Sequence, residues 1–231
     1  MNNENGILYG VGVGPGDPEL VTLKALRIIR NVAIIAFPVR RRGARSRALE
    51  TVRIHLRPET TLLPLLMPMT KNRDSLAQAH EQAAASLAEA ARGGRDVAYL
   101  SLGDPLFYST FGYLAERFPG KVEVISGIAA MNAFAAAIGL PLASGDSPTA
   151  VVTGGSSRSL KKALEMGGSV IIMKPRSLSE EALGLLESDG AFGRASAAIE
   201  LGGPSEQIIE QLDRKAAANL PYFSIIWIKQ P

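Results

Sequence analysis

The stretch GVGVGPGDPELVT, residues 10–22, follows an apolar run that reads as a β-strand, and its reading decides how the rest of the chain is organised. A glycine-rich turn between a strand and a helix is the opening βα unit of an open α/β sheet. Such sheets take ligands beyond the carboxyl ends of their strands. A dinucleotide fingerprint would need Gly-x-Gly-x-x-Gly, so that amides at a helix N-terminus cradle a pyrophosphate. Here Gly10, Gly12, Gly14 and Gly16 alternate with other residues, Pro15 removes an amide donor, and Asp17 puts negative charge where phosphates would lie. A P-loop is also excluded, because TGGSSRS at 153–159 lacks the lysine in the required place. The simplest reading of the glycines is a tight turn with Pro18 at the first helical position.

Working outward, short apolar or β-branched runs predict strands at 7–13, 32–37, 61–66, 97–100 and 122–125, then at 150–153, 170–173, 195–200 and 223–228. Helical patterns fill most gaps. Leu20, Leu23, Ala25, Leu26 and Ile29 fit one buried helical face closed by Asn31, and residues 74–92 form the longest pattern, ended by Gly93-Gly94. This alternation predicts an α/β fold with largely parallel sheets. The turn-rich segment GLPLASGDSP, 139–148, reads as a domain boundary. Two α/β domains are expected, 1–140 and 141–231, with a ligand cleft between them. Gly16-Asp17-Pro18 recurs as Gly103-Asp104-Pro105, each time after a predicted strand.

The chain has 231 residues, 46% of them hydrophobic, enough for a sizeable core. A formal charge of +3 does not argue for nucleic acid as a partner. With no cysteine there is no disulfide framework, thiolate nucleophile, Fe–S cluster or Cys-ligated zinc. The opening MNNENG lacks the pattern of a secretory signal and no run approaches eighteen apolar residues, so a soluble cytoplasmic protein without membrane contact is expected. His55 and His80, on predicted helices, lack partners at metal-ligand spacing, so no metal site is expected. HExxH and Gly-x-Ser-x-Gly are both absent. The second predicted strand runs into AFPVRRRGARSRAL rather than an acidic residue, which leaves an NADP-dependent reductase as one reading and a non-catalytic interaction protein with a basic loop as another.

Three segments, GVGVGPGDPELVTLKALRII, LSLGDPLFYSTFGYL and VISGIAAMNAFAAAIGLPLA, in this order and spacing, resemble the tetrapyrrole methylases, the cobalamin and siroheme methyltransferases that use S-adenosylmethionine. The second segment and the basic stretch look most like enzymes that methylate C20 of precorrin-2 or cobalt-precorrin-2. Siblings acting on another macrocycle position, or diphthine synthase, share the same loops. The resemblance implies a homodimer of two-domain chains, with S-adenosylmethionine bound between the domains and S-adenosylhomocysteine as product. It implies cofactor contacts at Pro15, Gly103, Asp104, Phe107, Ala129 and Ala130, and further ones at Met173, Glu200, Leu201 and Ser224. Where many relatives carry threonine or serine after the Gly-Ile pair, this chain has Ala129 and Ala130, so contact there would come from backbone atoms. Asp104 also fits an N-cap and Met173 fits core packing.

A phosphate-free sulfonium nucleoside suits a loop that rejects phosphate, since carbonyl and carboxylate oxygens favour the cation. The substrate implied carries eight carboxylates, for which Arg40, Arg41, Arg42, Arg45 and Arg47 are the candidate clamps. The reaction implied is an in-line displacement at the methyl carbon, helped chiefly by alignment and exclusion of water. Tyr108, beside the second Gly-Asp-Pro, is the candidate base if one is used.

Overall fold

In the computed structural model, which describes residues 5–70 and 72–230, the chain divides into two compact units on either side of the Ala129–Ala130 bond. The first unit is a wholly parallel sheet. Its strands are β1 (Leu8–Gly12), β2 (Ile34–Val39), β3 (Thr61–Leu66), β4 (Val97–Ser101) and β5 (Val122–Ile125), in the spatial order β3-β2-β4-β1-β5. Residues alternate between the two faces as a pleat requires. On one face Val11, Ile35, Phe37, Ala98 and Leu100 pack against α1 (Leu23–Asn31) and α2 (Arg47–Val52). On the other, Leu8, Ile34, Ala36, Val97 and Tyr99 pack against α3 (Arg73–Ala91) and α4 (Phe111–Ala115). Both faces of the central strands β1, β2 and β4 are buried, which explains why these read as unbroken apolar runs, whereas the edge strands β3 and β5 stay partly exposed.

The second unit contains α5 (Ala130–Ile138), β6 (Thr149–Thr153), α6 (Ser157–Glu165), β7 (Ser169–Met173), α7 (Glu180–Ser188), β8 (Ala195–Ile199), β9 (Gln207–Ile209), α8 (Arg214–Ala218) and β10 (Ser224–Ile228). Its sheet runs β6-β7-β10-β8-β9. Val170, Ile172, Ala197, Ile226 and Ile228 face α6, α7 and α8, while Ile171, Ala198, Ile225 and Trp227 face α5, whose Phe134 is fully buried with its ring 6.1 Å from that of Trp227.

Four expectations change. The second sheet is mixed: β6 and β7 are parallel, but β10 is antiparallel to both β7 and β8, and β9 is antiparallel to β8. A strand buried on both faces carries no directional signal in its side chains, and β9 is too short and too exposed to register as a strand. The turn-rich segment 139–148 is an exposed loop inside the second unit; the division falls before α5 because Phe134 packs on that unit's sheet. Pro18 opens a separate 3-10 turn, Pro18–Leu20, and α1 starts afresh at Thr22, whose Oγ1 accepts the Ala25 amide at 3.2 Å. Val21, Ala25 and Ile29 then form the inward stripe, and Leu23 stands 81% exposed. The opening MNNE of the segment read for a signal lies outside the described residues.

Candidate active site

Because the first sheet is parallel throughout, the loops after β1, β2, β4 and β5 leave it at one edge. The two Gly-Asp-Pro repeats lie there side by side. Gly103 N donates to Gly14 O at 2.6 Å and Gly14 N to Gly103 O at 3.3 Å, so the two loops that carry the repeats are bridged backbone to backbone. Each aspartate closes the same small turn: Asp17 Oδ1 accepts Glu19 N and Asp104 Oδ1 accepts Leu106 N, both at 2.8 Å. Asp104 thus caps a turn and no helix, since α4 begins only at Phe111. The backbones approach so closely that a Cβ at Gly12 would stand 2.5 Å from Gly127 N, and one at Gly127 would stand 2.3 Å from Gly103 O. Only glycine fits at either position. Gly103 needs its glycine for a different reason, a left-handed φ of +74° in open space.

Asp104 ties this edge together. Its Oδ2 accepts Ser126 Oγ at 2.5 Å and Gly127 N at 3.0 Å, both from the loop after β5. Burial pushes its pKa up, but the hydrogen bonds from Ser126, Leu106 and Gly127 outweigh that and hold the carboxyl below its ordinary value. It is therefore anionic throughout the physiological range. Gly103 and Asp104, expected as cofactor contacts, spend much of their hydrogen-bonding capacity on building the loops. Pro15 is buried, Ala129 is half-buried, and the Phe107 ring lies edge-on to Tyr108 at 5.0 Å.

Tyr108 adopts a left-handed φ of 50°, a conformation that costs a non-glycine residue about 1 kcal/mol or more and clusters at functional sites. The following residues are anchored to β4 by Ser101 Oγ with Ser109 Oγ at 2.8 Å and by Tyr99 OH with Thr110 Oγ1 at 3.1 Å. Burial pushes the Tyr99 phenol up to about 12, so it stays protonated. Leu106 and Tyr108 leave apolar surface exposed, 69% and 43% respectively. In the loop after β2, Arg40, Arg41, Arg42 and Arg45 are exposed, and none of them makes an ion pair among the described residues; Arg47 is half-buried at the start of α2.

In the second unit the antiparallel β10 brings its first residue to the carboxyl ends of its neighbours. Ile225 pairs with Met173 and Ser224 with Ile199, so Met173, Glu200, Leu201 and Ser224, distant in sequence, share one sheet edge. Leu201 is buried in the core beside α5, and Met173 packs against the same cluster. Ser224 is the informative residue on this edge: its Oγ is buried and has no hydrogen-bond partner among the described residues, a condition that points to a ligand or water. Glu200, an expected contact, and Lys174, which no sequence pattern singled out, are left-handed at φ 51° and 54°, and burial pushes the Lys174 ammonium pKa down. Ser126 was also missed, because its partner is 22 residues away and no local pattern links them. Among the described residues no three His, Asp or Glu side chains cluster as metal ligands, and no helix is long and apolar enough to cross a membrane.

Residues 7–216 match the family model for tetrapyrrole (corrin/porphyrin) methylases. A probable cobalt-precorrin-2 C(20)-methyltransferase of Methanocaldococcus jannaschii is 36% identical over 75% of this chain and 74% of its own. A precorrin-2 C(20)-methyltransferase of a Sinorhizobium species is 33% identical over 96% and 95%. The fold matches that of uroporphyrin-III C-methyltransferase from Thermus thermophilus, solved with S-adenosylhomocysteine, at a TM-score of 0.68 and 20% identity, covering 97% of each chain. The chain belongs to the tetrapyrrole (corrin/porphyrin) methylase family.

Proposed function

We propose that this protein transfers the methyl group of S-adenosylmethionine to C20 of precorrin-2 or cobalt-precorrin-2. The observation that carries the choice of substrate is the similarity, over nearly the whole length of both chains, to a precorrin-2 C(20)-methyltransferase. The residues present suit the methyl donor. An edge that rejects phosphate, an Asp104 carboxylate held anionic, and the orphaned Ser224 hydroxyl match a cationic nucleoside with hydroxyl and amine groups to satisfy. When bound, the donor supplies a methyl group made electrophilic by its sulfonium.

The chain's own residues bind and orient. Pro15, Gly103, Phe107, Ala129 and Ala130 line the donor mainly through backbone atoms, with Asp104 adding charge. Met173, Glu200, Leu201 and Ser224 are the further contacts. Arg40, Arg41, Arg42, Arg45 and Arg47 hold the rim carboxylates of the tetrapyrrole, and the exposed faces of Leu106 and Tyr108 suit its flat apolar body. Alignment and exclusion of water then lower the barrier, and Tyr108 is the candidate base if a proton must be taken up by the chain. A cytoplasmic homodimer without membrane or nucleic-acid partners completes the reading.

Two measurements test it. Calorimetry should detect S-adenosylhomocysteine binding; NADPH binding in its absence would replace the methyltransferase with a reductase. Incubation with precorrin-2, with and without cobalt, and a 13C-labelled methyl donor should yield one new methyl signal at C20. A methyl at another carbon refutes the positional assignment.

A further inference from the structure

We propose that Ser126 is a positioning residue for the methyl donor: its hydroxyl, acting through Asp104, clasps the loop after β4 to the loop after β5 and so presets the backbone of residues 103–108. The inference rests on the methyltransferase reading above.

The clasp has a specific architecture. The β4 loop is fastened at its start by the paired hydrogen bonds between Gly103 and Gly14, and at its end by Ser109 and Thr110 on the side chains of β4. Between these anchors the Asp104 carboxylate gathers donors from two loops, Leu106 N on one oxygen and Ser126 Oγ with Gly127 N on the other. The Ser126 bond is the shortest of the three at 2.5 Å and is charge-assisted, the strong class of hydrogen bond. Ser126 is itself exposed, so water would satisfy its hydroxyl as well as Asp104 does. The bond therefore contributes little to folding, and its effect is geometric. It keeps Oδ2 turned toward Gly127, and with it the turn that carries Leu106, Phe107 and the left-handed Tyr108. Loss of the hydroxyl leaves one donor on that oxygen and lets the turn sample other shapes, a cost met when the ligand binds.

The test compares wild type, Ser126→Ala, Ser126→Thr, Asp104→Asn and the Ser126→Ala/Asp104→Asn double variant by calorimetry with S-adenosylhomocysteine and by steady-state kinetics. Ser126→Ala should weaken product binding and raise KM for the methyl donor about tenfold, with kcat, the KM for tetrapyrrole and the melting temperature nearly unchanged. Ser126→Thr, which keeps the hydroxyl, should restore binding. The double variant should bind no more weakly than Asp104→Asn alone, because both changes break one clasp. Wild-type affinity in Ser126→Ala, failure of Ser126→Thr to rescue, or additive losses in the double variant would overturn this inference alone. Absence of S-adenosylhomocysteine binding by the unmodified chain would overturn the methyltransferase reading and this inference with it.

Discussion

Alanine at Gly12 and alanine at Gly103 separate two physical reasons for glycine within one site. A Cβ on Gly12 would lie 2.5 Å from Gly127 N, 2.7 Å from Gly103 O and 2.7 Å from Gly127 Cα. All three are backbone atoms, so no side chain can rotate away. The loops after β4 and β5 would have to retreat by roughly 1 Å to restore ordinary contact. Overpacking of this kind costs about 3 kcal/mol, a large share of the roughly 5–15 kcal/mol that stabilises a domain. At Gly103 an added Cβ meets nothing within 4 Å, but the φ of +74° is left-handed, which costs an alanine about 1–2 kcal/mol. Asparagine tolerates that conformation better, so Gly103→Asn should cost less than Gly103→Ala. Gly43, also left-handed at +73° with open space around it, serves as a control in the basic loop. Urea unfolding followed by circular dichroism gives the stabilities, and calorimetry gives the S-adenosylhomocysteine affinities. The expected order of cost is Gly12→Ala, then Gly103→Ala, with Gly43→Ala matching Gly103→Ala in stability while keeping wild-type product affinity. A Gly12→Ala protein within about 1 kcal/mol of wild type would refute the close-approach argument. If that variant does not fold, Gly103→Asn costing as much as Gly103→Ala would still refute the conformational one.

Other perturbations have equally definite outcomes. Hydrogen bonds depress the Asp104 pKa despite burial, so its contribution to stability is complete above the ordinary carboxylate pKa and disappears as pH falls through the lowered value. Asp104→Asn should therefore lower the urea midpoint at pH 7, and the difference should shrink toward pH 3; a difference that grows on acidification would contradict the sign. Phe134→Ala removes a fully buried ring and should cost about 3–5 kcal/mol. It should also shift the fluorescence of Trp227, the chain's single tryptophan, and unchanged emission would deny the contact. Replacing Arg41 and Arg42 together by alanine should raise the KM for tetrapyrrole about five- to tenfold without changing the melting temperature, because both side chains are exposed. Reduced S-adenosylhomocysteine affinity in that variant would reassign the loop to the donor.

Much of the fold is legible in the sequence because burial and turn chemistry are local. Runs such as 61–66 and 122–125 coincide with β3 and β5, and the glycines around Pro15 mark a strand-to-loop transition as expected. Leu23 misleads because a cap at Thr22 resets the helix phase, and the segment 139–148 misleads because turn formers mark loops whether or not a domain ends there. Within the candidate site, Asp104 and Gly103 are recognisable as important residues, but what they do is not: hydrogen bonds across 22 and 89 residues decide it, and a linear pattern has no record of such partners.

By itself, then, the sequence of GVGVGPGDPELVT and its echo at Gly103-Asp104-Pro105 determined that two glycine-containing turns end two strands and that the first does not suit a phosphate. The tertiary structure alone decided that β1 and β4 are neighbours and that the two turns therefore hydrogen-bond to each other. It also turned Asp104 toward Ser126 and ran β10 antiparallel, so that the buried Ser224 hydroxyl shares an edge with Met173 and Glu200. Strand order and direction arise from packing between segments far apart in the chain, and a buried strand carries the same apolar residues whichever neighbour it pairs with and whichever way it runs.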